Sequence, residues 1–411
     1  MAVTDTANRR VDLDGNAAAV QEVCDAGLLA GAVTMVWRSG ELLQVNEIGH
    51  RDVEAGSPMG RDTLFRIASM TKPVTIAVAM ALVDEGKLAL GDPISRWVPE
   101  LADPLVLDDP TGPLERTHRA RRPILIEHLM THTAGIGYNF SVSGPMSKAY
   151  ARLRYGQGPD TWIAELGQLP LLTEPGDQVT YGQATDVLGV ILSRIEGKPL
   201  PQVFAERILD PVGMVDTGFF VTPQNRRRAA TMYRLDAEAR LQHDVMGPPQ
   251  VSAPTFCNAG GGLWSTADDY LRFARMLLAG GEIDGVQVLS RTSVAAMRTD
   301  RLTAEQKRRP FLGAPFWVGR GFGLNMSVVT DPAVSAPLFG PGGLGTFGWP
   351  GAYGTWWQAD PSAEVILLYL VQNMPELSSD AAAAVAGNTS LTRLRTAQPK
   401  FVRHTYRSLG L

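Results

Sequence analysis

Ser69 and Lys72 stand three residues apart in the segment Phe65-Arg-Ile-Ala-Ser69-Met-Thr-Lys72-Pro73. On a helix that spacing puts both side chains on one face, so the amine can reach the hydroxyl. A serine hydroxyl is a weak nucleophile until a base takes its proton. An amine can serve once burial or neighbouring charge keeps it neutral for part of the time. A serine at a helix N-terminus also meets unpaired backbone N–H groups, which favour a developing negative charge. The pair points to acyl transfer through a covalent serine. Ser-x-x-Lys alone is equally the pattern of an N-cap serine and a surface lysine, so other positions must decide.

Two further stretches bear on it. In Glu174-Pro-Gly-Asp-Gln-Val-Thr-Tyr181-Gly-Gln183, a tyrosine follows a Pro-Gly turn and leads into an apparent helix from Ala184 to Ile195. A loop-borne phenol beside a lysine can relay protons between nucleophile and leaving group; a core tyrosine bonded to backbone would read the same way. In Phe347-Gly-Trp349-Pro350-Gly351-Ala352-Tyr353-Gly354, glycines open an apparent strand and let backbone approach a ligand. A strand edge there would donate the N–H of Ala352 to an oxyanion, whereas Pro350 has none to donate. A tight turn before a buried strand is the alternative.

Other signals lead elsewhere or nowhere. His128 and His132 have the spacing of a zinc-binding His-Glu-x-x-His helix, but the intervening residues lack the glutamate and no third ligand is apparent. Both histidines read as structural. No Gly-x-Ser-x-Gly elbow occurs, which argues against an α/β-hydrolase. Arg226-Arg227-Arg228 reads as a solvated loop, and at least one of Trp356 and Trp357 as core.

The elements that must hold these groups are legible in outline. Residues 18–30 read as an amphipathic helix, and 31–37 with 42–49 as a hairpin turning at Arg38 to Glu41. Residues 74–83 carry helical apolarity that ends near Gly86. Residues 90–210 are mostly helical patterns broken by Pro and Gly. Strands return at 353–359 and 364–372 around the turn Asp360-Pro361-Ser362-Ala363, and 379–394 reads as a closing helix. Strands at both ends with helices between predict a discontinuous α/β domain, 1–88 with 212–411, interrupted by a mostly helical domain, 89–211.

The 411 residues, 45% hydrophobic, can bury a large core, and a net charge of −4 gives no hint of nucleic acid. Cys24 and Cys257 are the only cysteines and read as two inert buried thiols. The first residues carry no apolar signal-peptide core, and no run approaches a membrane span, so a cytoplasmic protein with no membrane partner is expected. The tail from Arg393 is basic and reads as a solvated surface segment. Oligomeric state is not legible.

Together the motifs resemble those of the serine β-lactamase and penicillin-binding-protein superfamily, in the branch of class C β-lactamases, D-Ala-D-Ala carboxypeptidases and family VIII carboxylesterases. Ser69-Met-Thr-Lys72 matches the nucleophile motif, and Tyr181-Gly-Gln183 the Tyr-x-Asn motif with its Pro-Gly lead. Trp349-Pro350-Gly351 falls where Lys-Thr-Gly would stand. His132-Thr-Ala-Gly135 is similar to the family's His-Thr-Ser-Gly turn, and Gly260-Gly-Gly-Leu-Trp-Ser265-Thr to its Gly-Gly-Gly-x-x-Ser-Thr segment. The landmarks run in family order over roughly residues 17–390.

The resemblance implies an α+β fold, β-lactamase-like, with an antiparallel sheet flanked by helices. It implies catalysis by Ser69, Lys72 and Tyr181, an oxyanion held by the N–H groups of Ser69 and Ala352, and substrate contacts from Trp349, Gly351 and Gln183. No metal or organic cofactor is required. Trp349 replaces the lysine that helps hold a substrate carboxylate in lactamases and peptidases, and Gln183 lengthens the usual Asn. The expected activity is therefore hydrolysis of small carboxylic esters. A β-lactamase, a D-amino-acid-releasing peptidase, an acyltransferase and a penicillin-binding sensor are the rivals. Loops 137–160 and 300–320 are expected to shape the acyl pocket.

Overall fold

The computed structural model describes residues 12–236, 238–244, 251–374 and 389–411. The hairpin forms as its alternation predicts: β1 (Gly31–Arg38) pairs with β2 (Glu41–Asp52) around Ser39 and Gly40, both at positive φ. A short β3 (Ser57–Pro58) adds an edge. The chain rejoins the sheet much later as β4 (Arg320–Phe322), β5 (Ser327–Val329), β6 (Phe347–Gly348), β7 (Trp356–Asp360) and β8 (Val365–Val371). The spatial order is β4-β5-β6-β7-β8-β1-β2-β3, with every neighbouring pair antiparallel.

Every residue of β8 is buried, which explains its unbroken apolar run. Both faces are covered. On one, Met35, Ile366, Leu368 and Trp357 pack with the central helices α2 (Thr71–Asp84) and α3 (Ala184–Glu196), and with α4 (Ala267–Leu278). On the other, Val36, Leu367 and Tyr369 pack with α1 (Asp14–Asp25) and a C-terminal helix, Thr389–Ser408. Helix α2 is buried from Thr71 to Leu82, so it has no polar face and cannot be amphipathic.

Several expectations need correcting. The strand read from Tyr353 starts at Trp356, because Gly351 N–H closes a turn on Thr355 O at 2.7 Å and Gly354 takes φ 84°. The basic tail is not merely solvated: Ala397, Phe401 and Thr405 recur at helical spacing and are buried against the sheet. The first positions of the helix read at 379–394 lie outside the described residues, as do Met1 to Val11. Within 90–210 the helices are joined by a two-stranded ribbon, 105–107 with 117–119, too short for its period to be read. Arg228 is not a free loop cation but pairs with Asp216 at 2.6 Å. Trp357 is fully buried and Trp356 half-buried. Both cysteines are free and half-buried, and burial pushes the thiols up, to about 12 for Cys24 and about 11 for Cys257. Among the described residues, no helix is long and apolar enough to cross a membrane.

Candidate active site

Ser69 sits in a single 3-10 turn, Ala68–Met70, that runs into α2, and Lys72 lies in that helix's first turn. Ala68 takes φ 45°, a left-handed backbone that a non-glycine residue adopts only when its surroundings hold it there. They do so from both sides. Ile67 N–H donates to Leu263 O at 3.0 Å, and Gln372 bonds both the N–H and the carbonyl of Arg66.

Lys72 is fully buried. Its Nζ lies 3.2 Å from Ser69 Oγ, 3.3 Å from Tyr138 Oη and 2.6 Å from the carbonyl oxygen of Gly260. Tyr181 Oη reaches the same serine oxygen at 2.8 Å. The indole N–H of Trp349 donates to Tyr181 Oη at 3.2 Å. Ser69, Lys72, Tyr181 and Trp349 thus form one continuous hydrogen-bonded chain.

Backbone contact between loops makes this convergence possible. A Cβ on Gly182 would stand 2.0 Å from Ile136 O, so only glycine lets the Tyr181 loop press against the Tyr138 loop. Ser141 Oγ then bonds Tyr181 O at 2.6 Å, and Thr180 N–H bonds His132 O at 2.7 Å. A Cβ on Gly260 would meet Tyr138 Oη at 2.8 Å and Asp186 Oδ2 at 3.0 Å. Gly351 is equally constrained: its Cβ would lie 2.0 Å from Thr355 Oγ1 and 2.4 Å from Ile67 O. That contact seats the 349–355 turn against the segment entering Ser69. Ala352 lies in the turn itself, not on the strand edge expected there.

Gln183 has a different place from the one expected. It is buried, its amide oxygen accepts from Tyr155 Oη, and its amide nitrogen donates to Gly137 O at 3.1 Å. The amide holds the 137–155 loop to the start of α3 rather than standing free for a substrate. The extra methylene relative to Asn lets it span that gap.

Three groups escaped the sequence reading. Tyr138 follows the His132–Gly135 turn; burial, then the charge of Asp186, raises its phenol well above the ordinary value. Asp186, in the first turn of α3, accepts from Gly260 N–H at 2.9 Å; burial pushes its carboxyl up to about 6, against the pull of Lys72. Gly260 belongs to the Gly-Gly-Gly segment, but nothing in the sequence marks its carbonyl as the lysine's acceptor. His132 is fully buried against the Tyr181 ring, 4.7 Å between centroids, and burial with the Lys72 charge keeps its imidazole neutral. His128 Nδ1 accepts from Leu125 N–H.

An aromatic cover completes the site. Phe322, Phe311 and Phe316 pack on Trp349 with centroids 5.2, 5.8 and 5.8 Å away, and Phe311 also meets Tyr181 at 5.4 Å. Phe311 enters a two-residue turn, Leu312 and Gly313 at positive φ, closed by reciprocal bonds with Ala314. A nucleophile, two proton-handling groups and an apolar enclosure suit acyl transfer from an uncharged carbonyl.

Comparison with known proteins agrees with that chemistry. The family model described as beta-lactamase matches residues 16–388. Protein Rv1367c of Mycobacterium tuberculosis (strain ATCC 25618 / H37Rv) is 73% identical over 401 residues, 98% of this chain and 100% of the relative. Esterase EstB of Burkholderia gladioli is 32% identical over 392 residues, 89% of this chain and 93% of the relative. The solved structure of EstCE1, a hydrolase with promiscuous acyltransferase activity, superposes with a TM-score of 0.76 at 28% identity, covering 96% of this chain and 98% of that one.

Proposed function

The chain belongs to the beta-lactamase family, and from that premise we propose that it is a serine carboxylesterase acting on small-molecule esters through an acyl-enzyme. Its fold is β-lactamase-like. The observation that carries the reading is the double contact on Ser69 Oγ, from Lys72 Nζ at 3.2 Å and Tyr181 Oη at 2.8 Å. Ser69 attacks the ester carbonyl while Lys72, assisted by Tyr181, takes its proton. The N–H groups of Ser69 and Ala352 receive the oxyanion. Tyr181 returns the proton to the leaving alcohol, and water activated by the same pair releases the acid. Lys72 and Tyr181 handle the proton as a unit, so neither is assigned the base alone.

Trp349 favours esters over β-lactams. A β-lactam antibiotic carries a carboxylate beside its scissile amide, and an indole brings no positive charge to it. Its one N–H is already given to Tyr181. Desolvating that carboxylate without a partner costs several kcal/mol. The kcat/KM values for 4-nitrophenyl butyrate and a chromogenic cephalosporin test this, with Ser69→Ala as the blank. The ester value should be far the larger, and a fluorophosphonate should label Ser69. A cephalosporin value equal to the ester's, or a label on another serine, overturns the reading.

Transfer of the acyl group to an alcohol is the second reading. It is favoured by the rings of Phe311 and Trp349 beside Tyr181, an apolar surface that suits an acceptor alcohol. Butyryl transfer to added alcohol outrunning hydrolysis would establish it.

A further inference from the structure

Arg320 opens β4 and lies on the same face as Phe322, two residues on. Phe322 is the ring packed on Trp349. The Arg320 guanidinium carbon is 3.9 Å from the Phe339 centroid and 5.7 Å from that of Phe316. Its Nε donates to Ser335 Oγ at 3.1 Å. Two rings and one hydrogen bond therefore fix the plane of the guanidinium.

Three cations of the preceding segment have counter-ions: Arg301 pairs with Glu127, Lys307 with Asp300 and Arg308 with Glu305. Among the described residues, Arg320 pairs with no carboxylate. Its terminal nitrogens are not among the buried atoms left without a partner, as Arg298 Nη1 is, so they reach the surface. Burial alone lowers its pKa to about 10, which leaves it charged at neutral pH. A half-buried cation with a fixed plane and two free N–H pairs is prepared for a planar anion, which it would bind through both terminal nitrogens. Phe316 links it to Trp349: its centroid is 5.7 Å from the guanidinium carbon and 5.8 Å from that of the indole.

Resting on the esterase reading, we propose that Arg320 binds a carboxylate at the remote end of the substrate. The preferred substrates are then acidic esters, such as hemiesters of dicarboxylic acids. Their methylene chain lies along the half-buried Phe316 while the ester carbonyl reaches Ser69.

The test is a panel of mono-4-nitrophenyl esters of adipic, suberic and sebacic acids, each beside its methyl-capped neutral counterpart. It is run on the wild type and on Arg320→Gln. For at least one chain length the wild type should prefer the acid by about tenfold or more in kcat/KM, the worth of a charged hydrogen bond. Arg320→Gln should erase that preference through KM and leave the capped esters unchanged. No preference at any length, or one that survives Arg320→Gln, overturns the proposal. If the variant does not fold, inhibition of butyrate hydrolysis in the wild type decides: suberic acid monoamide should inhibit well below the concentration at which the diamide does, and equal inhibition overturns the proposal. Turnover of capped esters without preference removes the subsite alone. Absence of all ester turnover removes the esterase reading with it.

Discussion

The indole nitrogen of Trp349 and the phenol oxygen of Tyr181 are 3.2 Å apart, and that oxygen is also 2.8 Å from Ser69 Oγ. The tryptophan thus acts on the nucleophile through one intermediary rather than by touching it. Trp349→Phe keeps an aromatic ring among Phe311, Phe316 and Phe322 but deletes the donor. A neutral hydrogen bond contributes about 1 kcal/mol, so kcat on nitrophenyl butyrate should fall roughly five- to tenfold, with KM little changed. Steady-state kinetics checks it, and an unaltered kcat would take the N–H out of the relay.

Lys72→Ala should be as damaging as Ser69→Ala, at least roughly a thousandfold in kcat, and Tyr181→Phe less so. The two groups converge on one oxygen, so their losses should not multiply in the double variant. Full multiplication would mean that each acts on a different proton.

Gly351→Ala should lose about 1–3 kcal/mol of stability, because its methyl group would enter the space of Thr355 Oγ1 and Ile67 O. Activity should fall further than stability, since Ile67 leads into Ser69. Gly91→Ala is the control: nothing lies within 4 Å of its Cβ. Urea denaturation of both variants gives the comparison, and equal midpoints would contradict the contact.

Asp269 gives a pH signature. Burial pushes its carboxyl up to about 6, against bonds from the Thr217 hydroxyl and Asp216 N–H. A group whose folded pKa exceeds its unfolded value holds its proton longer when folded. Its contribution is therefore full below about 4 and lost as pH rises through about 6, on the order of 3 kcal/mol. Unfolding free energies of wild type and Asp269→Asn, measured from pH 4 to 7, should diverge in slope across that window. Parallel curves would count against a raised carboxyl.

What was legible in the sequence follows from what each signal depends on. The β1–β2 hairpin and the buried β8 were readable because period and apolarity are local properties. The Ser69–Lys72 spacing was readable because one helical turn relates the two. Tyr138 and Gly260 were not, since they reach Lys72 only through loop contacts across separations of 66 and 188 residues. Gln183 was misplaced for a related reason: its position matched the motif, but side-chain length, which sets what the amide reaches, is not part of a pattern. The alternative of a tight turn at 351–354 could not be preferred from the sequence, because its closing bond to Thr355 depends on a glycine whose constraint comes from Ile67, far away in the chain.

The pairing of β1 with β8, Ala32 opposite Val371 through to Arg38 opposite Val365, has a consequence for biosynthesis. A ribosome releases Ser69, Lys72 and Tyr181 in the first half of the chain, but the strand on which β1 rests arrives only with residues 365–371. The turn that braces Ile67, and the indole that bonds Tyr181, also come late. Nascent fragments therefore hold the reactive side chains without the frame that aligns them. Hydrolytic competence should therefore appear abruptly once residues 365–371 have been made, sparing the translating cell a half-made nucleophile.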